Sequence, residues 1–139
     1  VFDPLLDKVK RQEGNFRFAE LSEIFSIADI ISLHVPLTSE TKNLINKDSF
    51  KQMKKKPIII NTSRGSVINE NDLLKAYKEN LIGGFALDVF QNEPIQSDFY
   101  KKINRDINCI LTPHISGVTI QSNVRVSDFI ATKIIDFFN

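Results

Sequence analysis

Apolar residues in this chain fall into short runs of strand length separated by stretches with helical spacing. Val1-Phe2 ahead of Asp3-Pro4 reads as the tail of a strand, because proline cannot donate to a ladder. Phe18, Leu21, Ile24, Phe25 and Ala28 recur at helical spacing and predict an amphipathic helix with one buried face. Ile30-Ile31-Ser32-Leu33-His34-Val35 is a strand stopped by Pro36. Apolar residues dominate both of its faces, as in a parallel strand covered on both sides. Thr38 and Asn46 are placed to cap short helices, the second over 47–54, closed by Lys54, Lys55 and Lys56 as solvated cations at a helix C-terminus.

Pro57 to Asn61 is another apolar strand, and it runs into Thr62-Ser63-Arg64-Gly65, where glycine permits a tight turn. Asn69 and Asp72 resemble a capping pair for a helix that Leu73, Leu74, Ala76 and Tyr77 carry to Asn80, with Gly83-Gly84 beyond it. Phe85 to Val89 and Cys109 to Thr112 are the remaining strands. Thr119 can cap a closing helix with Ile120, Val124, Ala131, Ile134 and Phe138 along one face. Strands alternate with helices throughout, which predicts an α/β fold with a parallel sheet.

In such sheets ligands bind beyond the carboxyl ends of the strands. Asp3, His34, Arg64, Asp88 and His114 each end or follow a strand. A guanidinium on the turn after a buried strand suits bidentate binding of a carboxylate or phosphate, although a structural ion pair across the loop would use Arg64 equally well. Glu93 alone reads as a solvated loop glutamate, and His114 alone as a structural histidine. Together they offer more. A carboxylate bonded to an imidazole fixes its tautomer and favours its protonated form, giving a general acid near neutral pH.

Composition narrows the classes. At 139 residues, 42% hydrophobic and 25% charged, the chain is one ordinary globular domain rather than a disordered or fibrous segment. A net charge of +1 with dispersed basic residues leaves no footprint for nucleic acid or an anionic membrane. The apolar runs fall far short of the ~18 residues that span a bilayer, and no charged-then-apolar leader opens the chain. Cys109 has no internal partner, so a reducing compartment is expected. Two histidines, His34 and His114, and one cysteine leave a metal site little to draw on, and none is expected. Ser63 and Ser66 lie in no nucleophile elbow, and no G-x-G-x-x-G or Walker loop appears.

Five motifs then carry a resemblance: Val-Phe-Asp-Pro (1–4), Ala-Asp-Ile-Ile-Ser-Leu-His-Val-Pro-Leu-Thr (28–38), Asn-Thr-Ser-Arg-Gly (61–65), Ala-Leu-Asp-Val-Phe-Gln-Asn-Glu-Pro (86–94) and Thr-Pro-His-Ile-Ser-Gly (112–117). In order, and over almost the whole chain, they resemble the NAD-dependent D-isomer-specific 2-hydroxyacid dehydrogenases. The resemblance implies an α/β, Rossmann-like, doubly wound parallel sheet and NAD as cofactor. It places the catalytic arginine, glutamate and histidine on Arg64, Glu93 and His114. It also puts the ribose-binding aspartate on Asp3 and the aspartate beside the nicotinamide on Asp88, with Val35, Pro36, Thr62, Arg64, His114 and Gly117 lining the cofactor.

The family's first strand and glycine-rich loop come before the position of Asp3. Residues 1–139 are therefore expected to be a partial NAD-binding domain within a longer polypeptide. On that expectation the substrate domain lies elsewhere, 119–139 is a closing helix, and the strands beginning at Ile30 and Pro57 have lost the partner that joins them. The implied activity is hydride transfer between NAD(H) and a small D-2-hydroxy acid/2-oxo acid pair, nearest in motif to phosphoglycerate- and sulfolactate-dehydrogenase-like members. A cytoplasmic homodimer with no nucleic-acid or membrane partner goes with it. The rival readings are a non-catalytic dinucleotide-sensing interaction module of the same fold, and an inactive fragment.

Overall fold

The isoleucine-rich runs do become strands. A computed structural model describes residues 1–4, 16–93, 103 and 107–138. In it β1 (Ile30–Leu33), β2 (Ile58–Asn61), β3 (Gly84–Leu87) and β4 (Cys109–Leu111) pair in sequence order into one parallel sheet. The register places Ile31 beside Ile59, Ile59 beside Phe85 and Phe85 beside Cys109. Helix α1 (Leu21–Ile27) leads into β1, and α2 (Lys47–Gln52) and α3 (Glu70–Lys78) fill the connections after β1 and β2, α1 packing on α2 and α2 on α3. Helix α4 (Ile120–Phe138) follows β4. Ile31, Leu33, Ile59, Phe85 and Leu87 on the sheet meet Phe25, Ile45, Phe50 and Leu73 in a single core.

The local signals explain most element ends. Asn46 caps α2 in a full capping box: its side chain accepts from the Asp48 and Ser49 N–H groups, and Ser49 Oγ accepts from the Asn46 N–H at 2.8 Å. Asn69 caps α3 through the Asp72 N–H, but the Asp72 carboxylate turns away and accepts from the Lys47 N–H at 2.9 Å, joining the starts of the two helices. Thr119 Oγ1 accepts from the Ser122 N–H at 3.0 Å at the start of α4.

Several expectations change. Phe18 lies outside α1 in an extended segment: the Val1 amine donates to the Arg17 carbonyl at 2.6 Å and the Ala19 N–H to the Val1 carbonyl at 2.9 Å. β1 and β2 pair directly, Ile30 with Ile58 and the Ile58 N–H on the Asp29 carbonyl at 3.0 Å, so no strand is missing between them. The described strands run in one sequential progression, with no change of winding direction among them. β1 is covered on one face only, with Ile31 and Leu33 buried and Ile30 61% exposed, because α1, α2 and α3 pack in succession beside one another.

Helix α2 stops at Gln52, short of 54. The buried Met53 bends the chain back through a bond to the Phe50 carbonyl, and Lys56, before Pro57, takes a left-handed φ of 50°. Thr38 opens a single turn instead of a helix. Its backbone N–H donates to Thr41 Oγ1 at 2.8 Å, and Asn43 at φ 54° ends any continuation. Helix α3 ends at Lys78, with Asn80 in the left-handed position common after a helix. Pro94, Arg11 and Asn139 lie outside the described residues.

Candidate active site

β2 ends in Asn61, a fully buried amide in an otherwise apolar strand. A buried amide has to be satisfied, and here the turn beyond the strand does it. Asn61 Nδ2 donates to the Arg64 carbonyl at 3.0 Å, and Oδ1 accepts from the Ser63 N–H at 3.0 Å and from Ser63 Oγ at 2.8 Å. The turn is thus fixed from below while the Arg64 side chain stays exposed, with Nη1 on the Ser63 carbonyl at 2.6 Å. Thr62 is exposed on the same turn.

Gly65 follows, and its lack of a side chain serves packing. A Cβ there would stand 1.9 Å from the carbonyl carbon of Phe90 and 2.0 Å from its oxygen, so the loop after β3 lies directly on this turn. Two further bonds fasten that loop: the Gln91 N–H donates to Glu70 Oε1 at 2.6 Å, and Gln91 Nε2 to the Ile68 carbonyl at 2.8 Å. Glu93 sits at its end. Oε1 accepts from the Phe90 N–H at 2.9 Å, and Oε2 lies 2.7 Å from His114 Nδ1, where a carboxylate accepts the ring N–H. The His114 ring and the Phe90 N–H hold the Glu93 carboxyl below its ordinary value, against the opposing pull of burial.

The turn bearing His114 is tied to the strand beside it. Asp88, just beyond β3 and 3% exposed, accepts on Oδ1 from Thr112 Oγ1 at 2.5 Å and the Ile115 N–H at 2.9 Å. Its Oδ2 accepts from the Ser116 N–H at 3.0 Å and Ser116 Oγ at 2.5 Å. Burial pushes the Asp88 carboxyl up, and these bonds outweigh it and hold the group at about 2. Between them His114 adopts φ 57°, in the left-handed region that non-glycine residues seldom enter.

Arg64, Glu93 and His114 are therefore brought to one end of the sheet, Glu93 and His114 in contact and the Arg64 turn joined to the Glu93 loop through Gly65. Val35 and the exposed Pro36 follow β1 at the same end, and a side chain at Gly117 would meet nothing within 4 Å. His34, also past β1, bonds Ser32 Oγ through Nε2 at 2.8 Å.

Asp3 lies beyond Val1-Phe2 and lines a cavity of about 240 Å³ with Phe2, Phe18, Ala19, Glu20 and Glu23. Carboxylates around an apolar wall suit a ribose diol, whose hydroxyls donate, and repel a phosphate in the same place. The chemistry of this lining fits NAD. Arg17 lies on the segment bonded to Val1, and Glu23, in the same lining, holds its guanidinium at 2.7 Å. Among the described residues no His, Cys, Asp and Glu cluster could hold a metal ion, and no helix is long and apolar enough to cross a membrane.

Sequence reading had singled out neither Asn61 as a clamp nor the hydroxyls of Thr112 and Ser116. Asn61 carried a usable signal: one amide at the end of an isoleucine run must be satisfied close by. The Thr112 and Ser116 contacts span 24 and 28 residues and leave no local trace.

Known proteins resemble this chain over most of its length. The family model for the D-isomer specific 2-hydroxyacid dehydrogenase NAD binding domain matches residues 1–116. A glyoxylate reductase from Thermofilum pendens is 40% identical over 121 residues, covering 87% of this chain and 35% of that protein. A D-3-phosphoglycerate dehydrogenase from Synechocystis sp. is 38% identical over 136 residues, covering 98% of this chain and 24% of the relative. Among solved structures, an NAD-dependent formate dehydrogenase from Staphylococcus aureus in complex with NAD superposes with a TM-score of 0.76 at 32% identity, over 96% of this chain and 40% of that one. The chain thus spans about a quarter to two fifths of the length of these proteins.

Proposed function

The chain belongs to the D-isomer specific 2-hydroxyacid dehydrogenases, as part of their NAD binding domain, and we propose that the protein carrying it transfers a hydride between NAD(H) and a D-2-hydroxy acid/2-oxo acid pair. The 2.7 Å contact between Glu93 and His114 at the carboxyl end of the sheet carries the proposal. A carboxylate holding Nδ1–H leaves Nε2 as the proton-carrying edge, the arrangement a general acid and base requires. NAD, when bound, supplies the hydride in reduction and accepts it in oxidation.

The residues of the chain do the rest. Arg64 binds the substrate carboxylate and polarises the adjacent carbonyl. His114 Nε2 gives its proton to the carbonyl oxygen in reduction and takes it back from the hydroxyl in oxidation. Glu93 keeps the ring oriented through Nδ1. Asp3 would hold the ribose, and Val35, Pro36, Thr62 and Gly117 would line the remainder of the cofactor site. On this reading residues 1–139 are part of the dinucleotide-binding domain, 119–139 close it, and the acid's side chain is read by residues elsewhere in the polypeptide. The lone thiol fits a reducing cytoplasm, and the working assembly is proposed to be a homodimer of the full-length protein.

The test is a panel of small 2-oxo acids, including glyoxylate and the phosphorylated three-carbon 2-oxo acid, reduced with NADH by the full-length protein and its His114→Ala variant. A general acid contributes ~10²–10⁴ in rate, so turnover should fall by that factor. Near-wild-type turnover in His114→Ala overturns the mechanism.

A further inference from the structure

We propose that Asn61 is a positioning residue for substrate binding: its buried amide sets the backbone from which Arg64 reaches the 2-oxo acid. The proposal rests on the reading of Arg64 as the group that holds the substrate carboxylate. Asn61 is 0% exposed and ends a strand whose other residues are Ile58, Ile59 and Ile60. An amide carries donors on nitrogen and acceptors on oxygen, and burying them is unfavourable unless they are bonded. Here the bonds go to the turn beyond the strand. Nδ2 donates to the Arg64 carbonyl at 3.0 Å, while Oδ1 accepts from the Ser63 N–H at 3.0 Å and from Ser63 Oγ at 2.8 Å.

The amide ties that turn to the sheet. β2 lies between β1 and β3, with Asn61 paired to Leu33 on one side and Leu87 on the other, and its carbonyl accepts from the Asp88 N–H at 3.0 Å. The Arg64 carbonyl also accepts from the N–H of the fully buried Val67 at 3.2 Å, so the short turn Gly65–Val67 hangs from the same oxygen. The peptide group carrying that oxygen starts at the Arg64 Cα, and the guanidinium stands several bonds away on the side chain. A small rotation of the peptide becomes a larger displacement of the guanidinium, and a misplacement of ~1 Å costs about 10²-fold. Fully buried, Asn61 acts through the position of Arg64 rather than by contact with the acid.

In the full-length protein, kcat/KM for the 2-oxo acid, Kd for NADH and Kd for oxamate in the presence of NADH are measured for Asn61→Asp, Asn61→Leu and Ser63→Ala. Oxamate carries the carboxylate and adjacent carbonyl of a 2-oxo acid without being reduced, so its Kd reads Arg64 apart from turnover. Asn61→Asp keeps the shape but sets an oxygen against the Arg64 carbonyl. Kd for oxamate should then rise ~10–10²-fold, with kcat/KM falling in step. Kd for NADH should change less than about threefold, because the guanidinium is the group displaced. Burial keeps the introduced carboxyl protonated to a higher pH than usual, and the protonated form can donate to the Arg64 carbonyl again. The Asn61→Asp loss relative to wild type should therefore shrink as the pH falls, and the Asn61→Leu loss should not. Ser63→Ala leaves Nδ2 on the Arg64 carbonyl and should cost about threefold in oxamate affinity, with less effect on NADH. In the Arg64→Ala background, Asn61→Asp should lower kcat/KM less than about twofold further, because the group being positioned is gone.

Equal weakening of oxamate and NADH overturns the proposal, and so does a folded Asn61→Asp protein that binds oxamate as the wild type does. A loss that ignores pH, or that persists in full in the Arg64→Ala background, overturns it as well and leaves the amide a group that only stabilises the fold. If neither Asn61 variant folds, Ser63→Ala decides by the same comparison, and equal effects on oxamate and NADH overturn the proposal. Wild-type turnover and oxamate binding in Arg64→Ala defeat the reading of Arg64 itself, whereas dependence on Arg64 with an additive loss at Asn61 defeats only the positioning.

Discussion

Gly65→Ala is the smallest change that should uncouple the proposed acid from its partner without touching either. A Cβ at this position would lie 1.9 Å from the Phe90 carbonyl carbon, 2.0 Å from its oxygen and 2.5 Å from the Gln91 nitrogen, all backbone atoms. Non-bonded carbons rest at about 3.5–4.0 Å, so one of the two loops must retreat by roughly 1.5 Å. The Gln91 bonds to Glu70 and Ile68 resist that retreat at 2.6 and 2.8 Å, and losing them adds to the cost of overpacking. Together these should destabilise the protein by about 1–3 kcal/mol, read as a lower denaturant midpoint.

Glu93 lies three residues beyond Phe90 and reaches His114 at 2.7 Å. A loop shift of even ~1 Å takes that contact beyond the ~3.5 Å limit of a hydrogen bond. Turnover should then fall ~10²-fold, the usual effect of a misplacement of that size. Gly65→Ala should also add little to the loss already produced by Glu93→Gln, because both remove the same contact. The assay is NADH consumption under saturating 2-oxo acid for the single and double variants. A Gly65→Ala protein with wild-type kcat and an unchanged midpoint would show that the two loops are not rigidly stacked, and the reasoning would fail.

Two further outcomes follow from the ionised groups. Asp88 has a folded value of about 2 against an ordinary 3.8, so its contribution to stability is complete above about pH 5 and is lost as the pH falls towards 2. The loss amounts to about 2 kcal/mol, and Glu93, also held low, adds in the same direction; an acid titration of stability in which Asp88→Asn keeps the full wild-type slope would contradict this. For the cofactor, Asp3→Ala should narrow a preference for NADH over NADPH by removing the carboxylate that repels a 2′-phosphate, and equal efficiency with both cofactors in the wild type would remove Asp3 from the ribose site.

Much of this is legible in the sequence itself, for a specific reason. A parallel sheet puts ligand-facing residues directly after apolar runs, so Arg64, Asp88 and His114 could be placed by finding where Ile58–Asn61, Gly84–Leu87 and Cys109–Leu111 end. What failed was whatever depended on faces and neighbours. The spacing from Phe18 to Ala28 suits a helix, yet bonds from Val1 to Arg17 and Ala19 hold Phe18 in extended backbone, and the direct pairing of β1 with β2 joins backbones whose adjacency periodicity does not report. Apolar residues on both faces of β1 predicted two covers, but side-chain hydrophobicity says nothing of whether a covering helix lies within the same stretch of chain. Gly65 was read as a turn glycine, when the space it leaves is filled by the backbone of Phe90 from a strand away.

Ser49, Asn61 and Asp88 are the buried polar side chains among the described residues, and two of them lie at the carboxyl end of the sheet. Burying an amide or a carboxylate is unfavourable unless every bond is returned. At both positions the bonds are returned by a turn rather than by the sheet: Asn61 satisfies itself on Ser63 and Arg64 just beyond its own strand, Asp88 on Thr112, Ile115 and Ser116 beyond the neighbouring strand β4. The desolvation cost of each group therefore enforces the geometry of one turn, since any other turn would leave a buried polar atom unpaired. The Asp88 N–H to Asn61 carbonyl bond makes the two enforced geometries share a backbone. An arginine on one turn and a histidine on the other are then held in fixed relation by groups that solvent barely touches, leaving the exposed side chains free to meet a ligand.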